Sequence, residues 1–195
     1  MPDEPVIARG LEGIIANESK LSDVQGQDGK LFYLGYTIDD LVENTTFEEV
    51  LHLLHRGKLP NRTELQALKT TLREQRFLPA GVIDFLQSAP KDAGPMDVIR
   101  TGVSMLGLYD TRGDHQNRQL NEERALSICA KIPLIIGFYH RFRQGLEVPP
   151  IRKDLREAAH FLYLINGEEP TEQAAKTLDV AYILHADHGL SLIHI

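Results

Sequence analysis

Thr46-Phe47-Glu48-Glu49-Val50-Leu51-His52-Leu53-Leu54-His55-Arg56-Gly57 contains a helix start, a helix face and a helix stop. The Thr46 hydroxyl can accept from a free amide of the first turn while the Glu49 carboxylate reaches back, which is a capping box. Val50, Leu51, Leu53 and Leu54 then supply an apolar face, and Gly57 can end the helix in a left-handed conformation. A chain punctuated in this way is read as helical.

The same punctuation continues downstream. Thr63-Glu64-Leu65-Gln66 reads as a second capping box, with Leu65, Leu68 and Leu72 at helical spacing. Pro79 suits the first turn of a third helix through Val82, Ile83 and Leu86. Pro95 opens another, with Val98, Ile99, Val103 and Leu106. Residues Thr111 to Asn121 are polar and include Gly113, so they read as a loop. A long helix is expected from about Glu122 to Phe142, with Ile128, Ile132, Ile135, Ile136 and Tyr139 as its buried stripe and Pro133 as a kink. Pro149-Pro150 forms a stiff joint. A helix through Leu155, Ala158, Ala159, Leu162 and Ile165 follows, broken at Asn166-Gly167, and a last helix starts near Thr171.

Upstream of Thr46 the reading is extended. Gly10 to Ile15 leads into Ser22-Asp23-Val24-Gln25, and the cluster Gly26-Gln27-Asp28-Gly29 turns the chain into Leu31-Phe32-Tyr33-Leu34. Asp28-Gly29 can supply the positive-φ residues of a hairpin turn. The expected architecture is a mainly α, multi-helical array with a small N-terminal β-hairpin.

Composition is ordinary for a soluble globular protein. Of 195 residues, 42% are hydrophobic and 25% charged, with a formal net charge of -7. That charge argues against nucleic acid or an anionic membrane as partner. The acidic start shows no signal-peptide pattern, and the apolar run near Ile132 to Tyr139 reads as too short to span a bilayer. The single cysteine, Cys129, is read as a buried thiol in a helix, consistent with the cytoplasm.

One constellation carries chemistry. Leu178, Tyr182 and His185 lie at helical spacing, and His188 follows at i+3 from His185, so both imidazoles are expected on one side of the last helix. Three readings compete: a metal site, two satisfied structural histidines, or a pair of N–H donors that hold a carboxylate. Spacing does not choose between the last two, and no further ligand cluster supports the first. Arg141 and Arg143 either bind an anion or satisfy the end of the long helix, the latter being the default. His52 and His55 lie on a leucine-rich helix, and His115 sits in the polar loop as a solvated residue.

These residues resemble a known pattern. Gly10-Leu11-Glu12-Gly13-Ile14-Ile15-Ala16 and Tyr33-Leu34-Gly35-Tyr36-Thr37-Ile38-Asp39-Asp40-Leu41 are similar to the opening of bacterial citrate synthases. Thr46 to Val50, running on to Gly57-Lys58-Leu59-Pro60, and Met96-Asp97-Val98-Ile99-Arg100-Thr101 resemble further blocks of that family. So do Arg143-Gln144-Gly145, Phe161 to Pro170, and Leu184-His185-Ala186-Asp187-His188. Six blocks in the right order, the two opening stretches counted as one, make the resemblance specific, and it extends from about Gly10 to Leu190.

The resemblance implies a mostly helical large domain, a separate small domain and a homodimer in the full-length protein. It implies condensation of acetyl-CoA with oxaloacetate to citrate and CoA, with acetyl-CoA as co-substrate and no metal or redox cofactor. The use of propionyl-CoA by a 2-methylcitrate synthase is the close alternative. His188 becomes the counterpart of a histidine that holds oxaloacetate. His185 is its neighbour in the pocket wall, and for His185 the structural reading stays equally open.

The pattern then departs. After His188-Gly189-Leu190 the family continues with an Asn-Ala-Ser-Thr run, whereas this chain has Ser191-Leu192-Ile193-His194-Ile195. Residues 1–190 are therefore read as an amino-terminal part of the large domain and 191–195 as a tail foreign to the family. The family's enolate-binding histidine, general-base aspartate and substrate-clamping arginines have no counterpart here, so no catalytic residue is assigned. The expectation is an inactive, association-prone fragment of an active transferase. A non-enzymatic helical interaction module and a metal-dependent hydrolase remain the readings from other classes.

Overall fold

The hairpin forms, and a third strand joins it. The computed structural model describes residues 19–113 and 116–187. Strands β1 (Ser22–Gln25) and β2 (Lys30–Tyr33) pair antiparallel with Ser22 opposite Tyr33 and Gln25 opposite Lys30. Only Gly29 of the expected Asp28-Gly29 pair takes a positive φ, at 65°. A second turn had no sequence expectation: Leu34 (φ 49°) and Gly35 (φ 89°) reverse the chain into β3 (Tyr36–Thr37). Residues 10–15, expected to be extended, lie outside the described residues.

Helix α1 (Ile38–Asn44) follows at once. It escaped the sequence reading because it is only seven residues long, too short for its Ile38, Leu41 and Val42 face to repeat as a helical period. Its signal was Thr37, whose side chain accepts from the Asp40 N–H at 3.2 Å.

Helix α2 (Phe47–Arg56) has the expected caps, with Glu49 Oε2 accepting from the Thr46 N–H at 2.8 Å and Gly57 at φ 75°. Helix α3 (Arg62–Glu74) corrects the second capping box. Its N-cap is Asn61, whose Oδ1 accepts from the Glu64 N–H at 2.9 Å while Glu64 Oε2 accepts from the Asn61 N–H at 2.9 Å. Asn61 stands two residues before Thr63 and is at least as good a cap, so the helix starts at the first suitable acceptor after Pro60.

Helices α4 (Ala80–Ser88, with Pro79 at its N-cap) and α5 (Pro95–Leu108) appear where the prolines placed them. Helix α6 runs from Arg118 to Arg143, so it begins within the expected loop, capped by Asn117. It continues through Pro133. The expected stripe is also corrected: Leu134, Ile135, Gly137, Phe138 and Tyr139 are buried, while Ile128, Ile132 and Ile136 are half-buried. A single stripe suits a helix packed on one side, but α6 contacts α3, α4, α5 and also α7 (Glu157–Asn166). By length and mean hydropathy alone α6 could cross a bilayer, yet here it packs at the centre of a helical array.

Helix α7 ends where expected, at Asn166 with Gly167 at φ 85°. It begins after Leu155, and it buries Ala158, Ala159, Tyr163 and Leu164 rather than Leu162 and Ile165. Helix α8 (Glu172–Leu184) starts from Thr171, whose Oγ1 accepts from the Ala174 N–H at 3.2 Å.

Three apolar clusters hold these elements together. Val82, Leu86, Val98, Leu134 and Leu164 join α4, α5, α6 and α7. Leu51, Leu68, Leu72 and Ala130 join α2, α3 and α6. Tyr33, Leu41, Val50, Leu53 and Ile183 tie the sheet, α1 and α2 to the end of α8. Burying an aliphatic side chain of this size contributes about 1.5–3 kcal/mol. The third cluster therefore fixes where the His185 segment emerges.

Candidate functional site at the end of helix α8

The last helix stops one residue before the first of the two histidines. His185 is the C-cap of α8, with φ -109° and ψ 10°, and its backbone N–H donates to Ala181 O at 3.2 Å. Helical periodicity ends at Leu184, so His185 caps the helix rather than lying within it, and the expected relation of its ring to that of His188 lies outside the described residues. His185 is exposed, and its Nδ1 lies 2.8 Å from Ala181 O. With Nδ1–H donating to that carbonyl, Nε2 is left as the ring's outward polar atom. His188 lies outside the described residues.

The segment is gripped from the sheet. Tyr33, with no exposed surface, places its hydroxyl 3.0 Å from Asp187 O and 3.3 Å from Leu184 O. The Asp187 N–H donates to the same hydroxyl at 3.2 Å. Burial pushes the Tyr33 phenol up from its ordinary pKa, so it stays a neutral O–H.

Beside this segment lies a cavity of about 610 Å³, lined in part by Phe47, His55, Cys129, Tyr182, His185 and Asp187. Phe47 and Tyr182 form its aromatic side, with ring centroids 5.1 Å apart. Burial lowers the pKa of His55, which favours the neutral ring. Cys129 is half-buried rather than fully buried, and burial raises its thiol pKa, so it is a poor nucleophile. The arrangement offers an apolar wall with two imidazole rings, His55 and His185, as polar groups able to orient a small polar molecule.

Arg141, Arg143 and His52, also singled out from sequence, have structural partners. Arg141 Nε donates to Glu147 O at 2.8 Å and its Nη1 to Ile165 O at 3.4 Å, so it ties the end of α7 to the loop after α6. Arg143 lies over the Tyr139 ring at 5.5 Å. His52 is buried, with Nδ1 2.9 Å from Lys58 O, and His55 is half-buried. His115 lies outside the described residues. Among the described residues no group of three or more His, Cys, Asp or Glu side chains comes together as a metal site.

Sequence reading missed the polar residues behind the site. Asp179 on α8 is buried and its Oδ1 accepts from the Phe47 N–H at 3.2 Å, so a carboxyl group sits at the start of α2. Glu48, Arg76, Glu157 and His160 are buried nearby. For Glu48, Glu157, His160 and Asp179 the only sequence signal was a polar residue within a helix, and Arg76, which follows the end of α3, had none.

A family model described as "Citrate synthase, C-terminal domain" matches residues 10–192. The chain belongs to the citrate synthase family. It is 44% identical over 189 residues to a citrate synthase from Haloferax volcanii, covering 95% of this chain and 50% of that protein. It is 40% identical over 180 residues to a 2-methylcitrate synthase from Shewanella oneidensis, covering 92% of this chain and 47% of that protein. The crystal structure of citrate synthase from Pyrobaculum aerophilum superimposes with a TM-score of 0.85 at 34% identity, covering 92% of this chain and 47% of that one. The chain thus spans about half the length of the citrate synthases it matches, and the multi-helical fold with its small β-element is the fold of this family.

Proposed function

We propose that these 195 residues form part of an acyltransferase that condenses acetyl-CoA with oxaloacetate, and that they supply the wall holding oxaloacetate. The observation that carries the reading is the match of residues 10–192 to the citrate synthase family, with His185, Ala186 and Asp187 leaving α8 beside a cavity. His188 is the proposed oxaloacetate ligand and His185 its neighbour. Imidazole N–H groups suit the task because a dianion needs fixed, directional donors before a carbanion can attack its carbonyl.

The reaction also needs a base for the acetyl methyl and a donor for the enolate oxygen. No residue of this chain is assigned to either role. We place both in the remaining length of the full-length enzyme, together with a small domain that closes the cleft and excludes water. On this reading the 195 residues alone do not turn over, residues 1–190 are part of the large domain, and residues 191–195 carry no role. The full-length enzyme is read as a cytoplasmic homodimer that uses acyl-CoA as co-substrate, without a metal or redox cofactor.

Propionyl-CoA is a second acyl donor to test, because the relative from Shewanella oneidensis is a 2-methylcitrate synthase. One methylene shifts discrimination by only about 1–3 kcal/mol.

The test is CoA thiol release by the full-length gene product and by the 195-residue chain, with acetyl-CoA or propionyl-CoA. The full-length protein should release CoA only when oxaloacetate is present, and the chain alone should not. In the full-length protein His188→Ala should raise the oxaloacetate KM. A folded full-length protein that releases CoA from neither thioester would favour an interaction module and overturn the reading.

A further inference from the structure

The geometry points to Tyr33 as the positioning residue for His188, acting through the backbone of Asp187. This rests on the reading of His188 as the oxaloacetate ligand.

A phenol hydroxyl has one proton to give and two lone pairs to accept with. Tyr33 uses both functions on one residue: its O–H donates toward Asp187 O at 3.0 Å, and the Asp187 N–H donates to it at 3.2 Å. The Asp187 N–H belongs to the peptide joining Ala186 to Asp187, and the Asp187 carbonyl to the peptide joining Asp187 to His188. One side chain therefore orients the two peptide planes on either side of Asp187. The second plane is the one from which His188 departs. Leu184 O, on the last residue of the helix, lies 3.3 Å from the same hydroxyl and can share its one proton.

Past Leu184 the backbone keeps two short-range bonds, His185 N–H to Ala181 O at 3.2 Å and Ala186 N–H to Ile183 O at 3.3 Å, and the Asp187 N–H turns to Tyr33 instead. Tyr33 is fully buried, paired with Ser22 in the sheet, and held against Leu41, Val50, Leu53 and Ile183. The turn at Leu34 and Gly35 immediately follows it. A phenylalanine in the same place would fill the same core and remove the hydroxyl that orients both peptide planes of Asp187.

The experiment uses the full-length protein with Tyr33→Phe, His188→Ala and the double variant. Tyr33→Phe should raise the oxaloacetate KM by about 3- to 10-fold, the range of one net hydrogen bond. It should leave the acyl-CoA KM and the thermal midpoint near those of the parent. The double variant should be no worse than His188→Ala alone, because Tyr33 acts through that imidazole. If His188→Ala raises the oxaloacetate KM and Tyr33→Phe does not, the positioning role is overturned and the ligand role stands. If His188→Ala leaves that KM unchanged, the ligand role fails and the positioning role with it. If Tyr33→Phe lowers the thermal midpoint and shifts both KM values together, Tyr33 is a core residue only. Faster hydrogen exchange at the Asp187 amide in Tyr33→Phe, without faster exchange in β2, is the matching signature of a lost grip.

Discussion

Arg76 Nη2 donates to Glu157 Oε1 at 2.6 Å, and neither side chain is appreciably exposed, at 0% and 7%. Arg76 follows the end of α3, and Glu157 opens α7. The other arm of the guanidinium donates to Arg152 O at 2.7 Å, and Glu48 Oε1 on α2 accepts from the Glu157 N–H at 3.3 Å. Three helices thus meet on one buried ion pair. Burial pushes the Glu157 carboxyl up, and the guanidinium acts against that shift.

Arg76→Met should be strongly destabilising. It leaves a carboxylate in the interior without its counter-charge, which typically costs about 3–5 kcal/mol. Urea unfolding followed by circular dichroism measures this. A loss below about 1 kcal/mol would show that the interior is wet enough to solvate Glu157 on its own.

His160 should make stability fall on acidification. Its ring is 1% exposed, and burial with the nearby Arg76 charge pulls its pKa down to about 3. The unfolded chain binds this proton near pH 6.5 and the folded one only near pH 3. Stability from the neutral ring is therefore present above pH 6.5 and is lost as pH drops through this window. Asp179 and Glu157 are shifted up by burial and act in the opposite sense. The test is therefore the difference between the parent and His160→Gln. That difference should move against the parent by at most about 1.4 kcal/mol per pH unit between pH 6.5 and 3. A pH-independent difference would place the His160 pKa near its ordinary value.

Asn61→Ala should cost about 1 kcal/mol, whereas Thr63→Ala should stay within about 0.5 kcal/mol. The first removes the acceptor of the Glu64 N–H, and the second changes an exposed side chain inside the first turn of α3. Thermal unfolding of the two variants side by side decides which residue is the cap. The opposite ranking would restore the box at Thr63 to Gln66.

Gly137→Ala should loosen the contact between α6 and α7. A Cβ at Gly137 would stand 2.9 Å from Leu164 Cβ, which is anchored to the α7 backbone and has little room to yield. A loss of about 1–3 kcal/mol is expected. Unfolding midpoints measure it, and an unchanged midpoint would mean that the two helices can part without loss.

Much of the helical architecture was legible because its signals act over a few residues. Thr46 with Glu49, Gly57, Pro95 and Gly167 each determine a boundary through a cap, a left-handed φ or a missing N–H, and each boundary appears where the sequence placed it. The same local logic reached the citrate synthase resemblance, since blocks such as Phe161 to Pro170 are read residue by residue. It failed at α1, which is too short for its apolar face to repeat, and at α6, where contact with four helices replaces a single stripe.

What the sequence by itself determined was a chain of capped helices behind a hairpin and the segment that bears the histidines. What only the tertiary structure decided was how that segment is held. His185 leaves the helix, and the grip on Asp187 comes from Tyr33, 154 residues earlier in the chain. The Phe47 N–H finds its acceptor in Asp179 across 132 residues. Caps and turns depend on dihedrals within about four residues, whereas these contacts exist only after the apolar clusters have docked the sheet and α2 against α8.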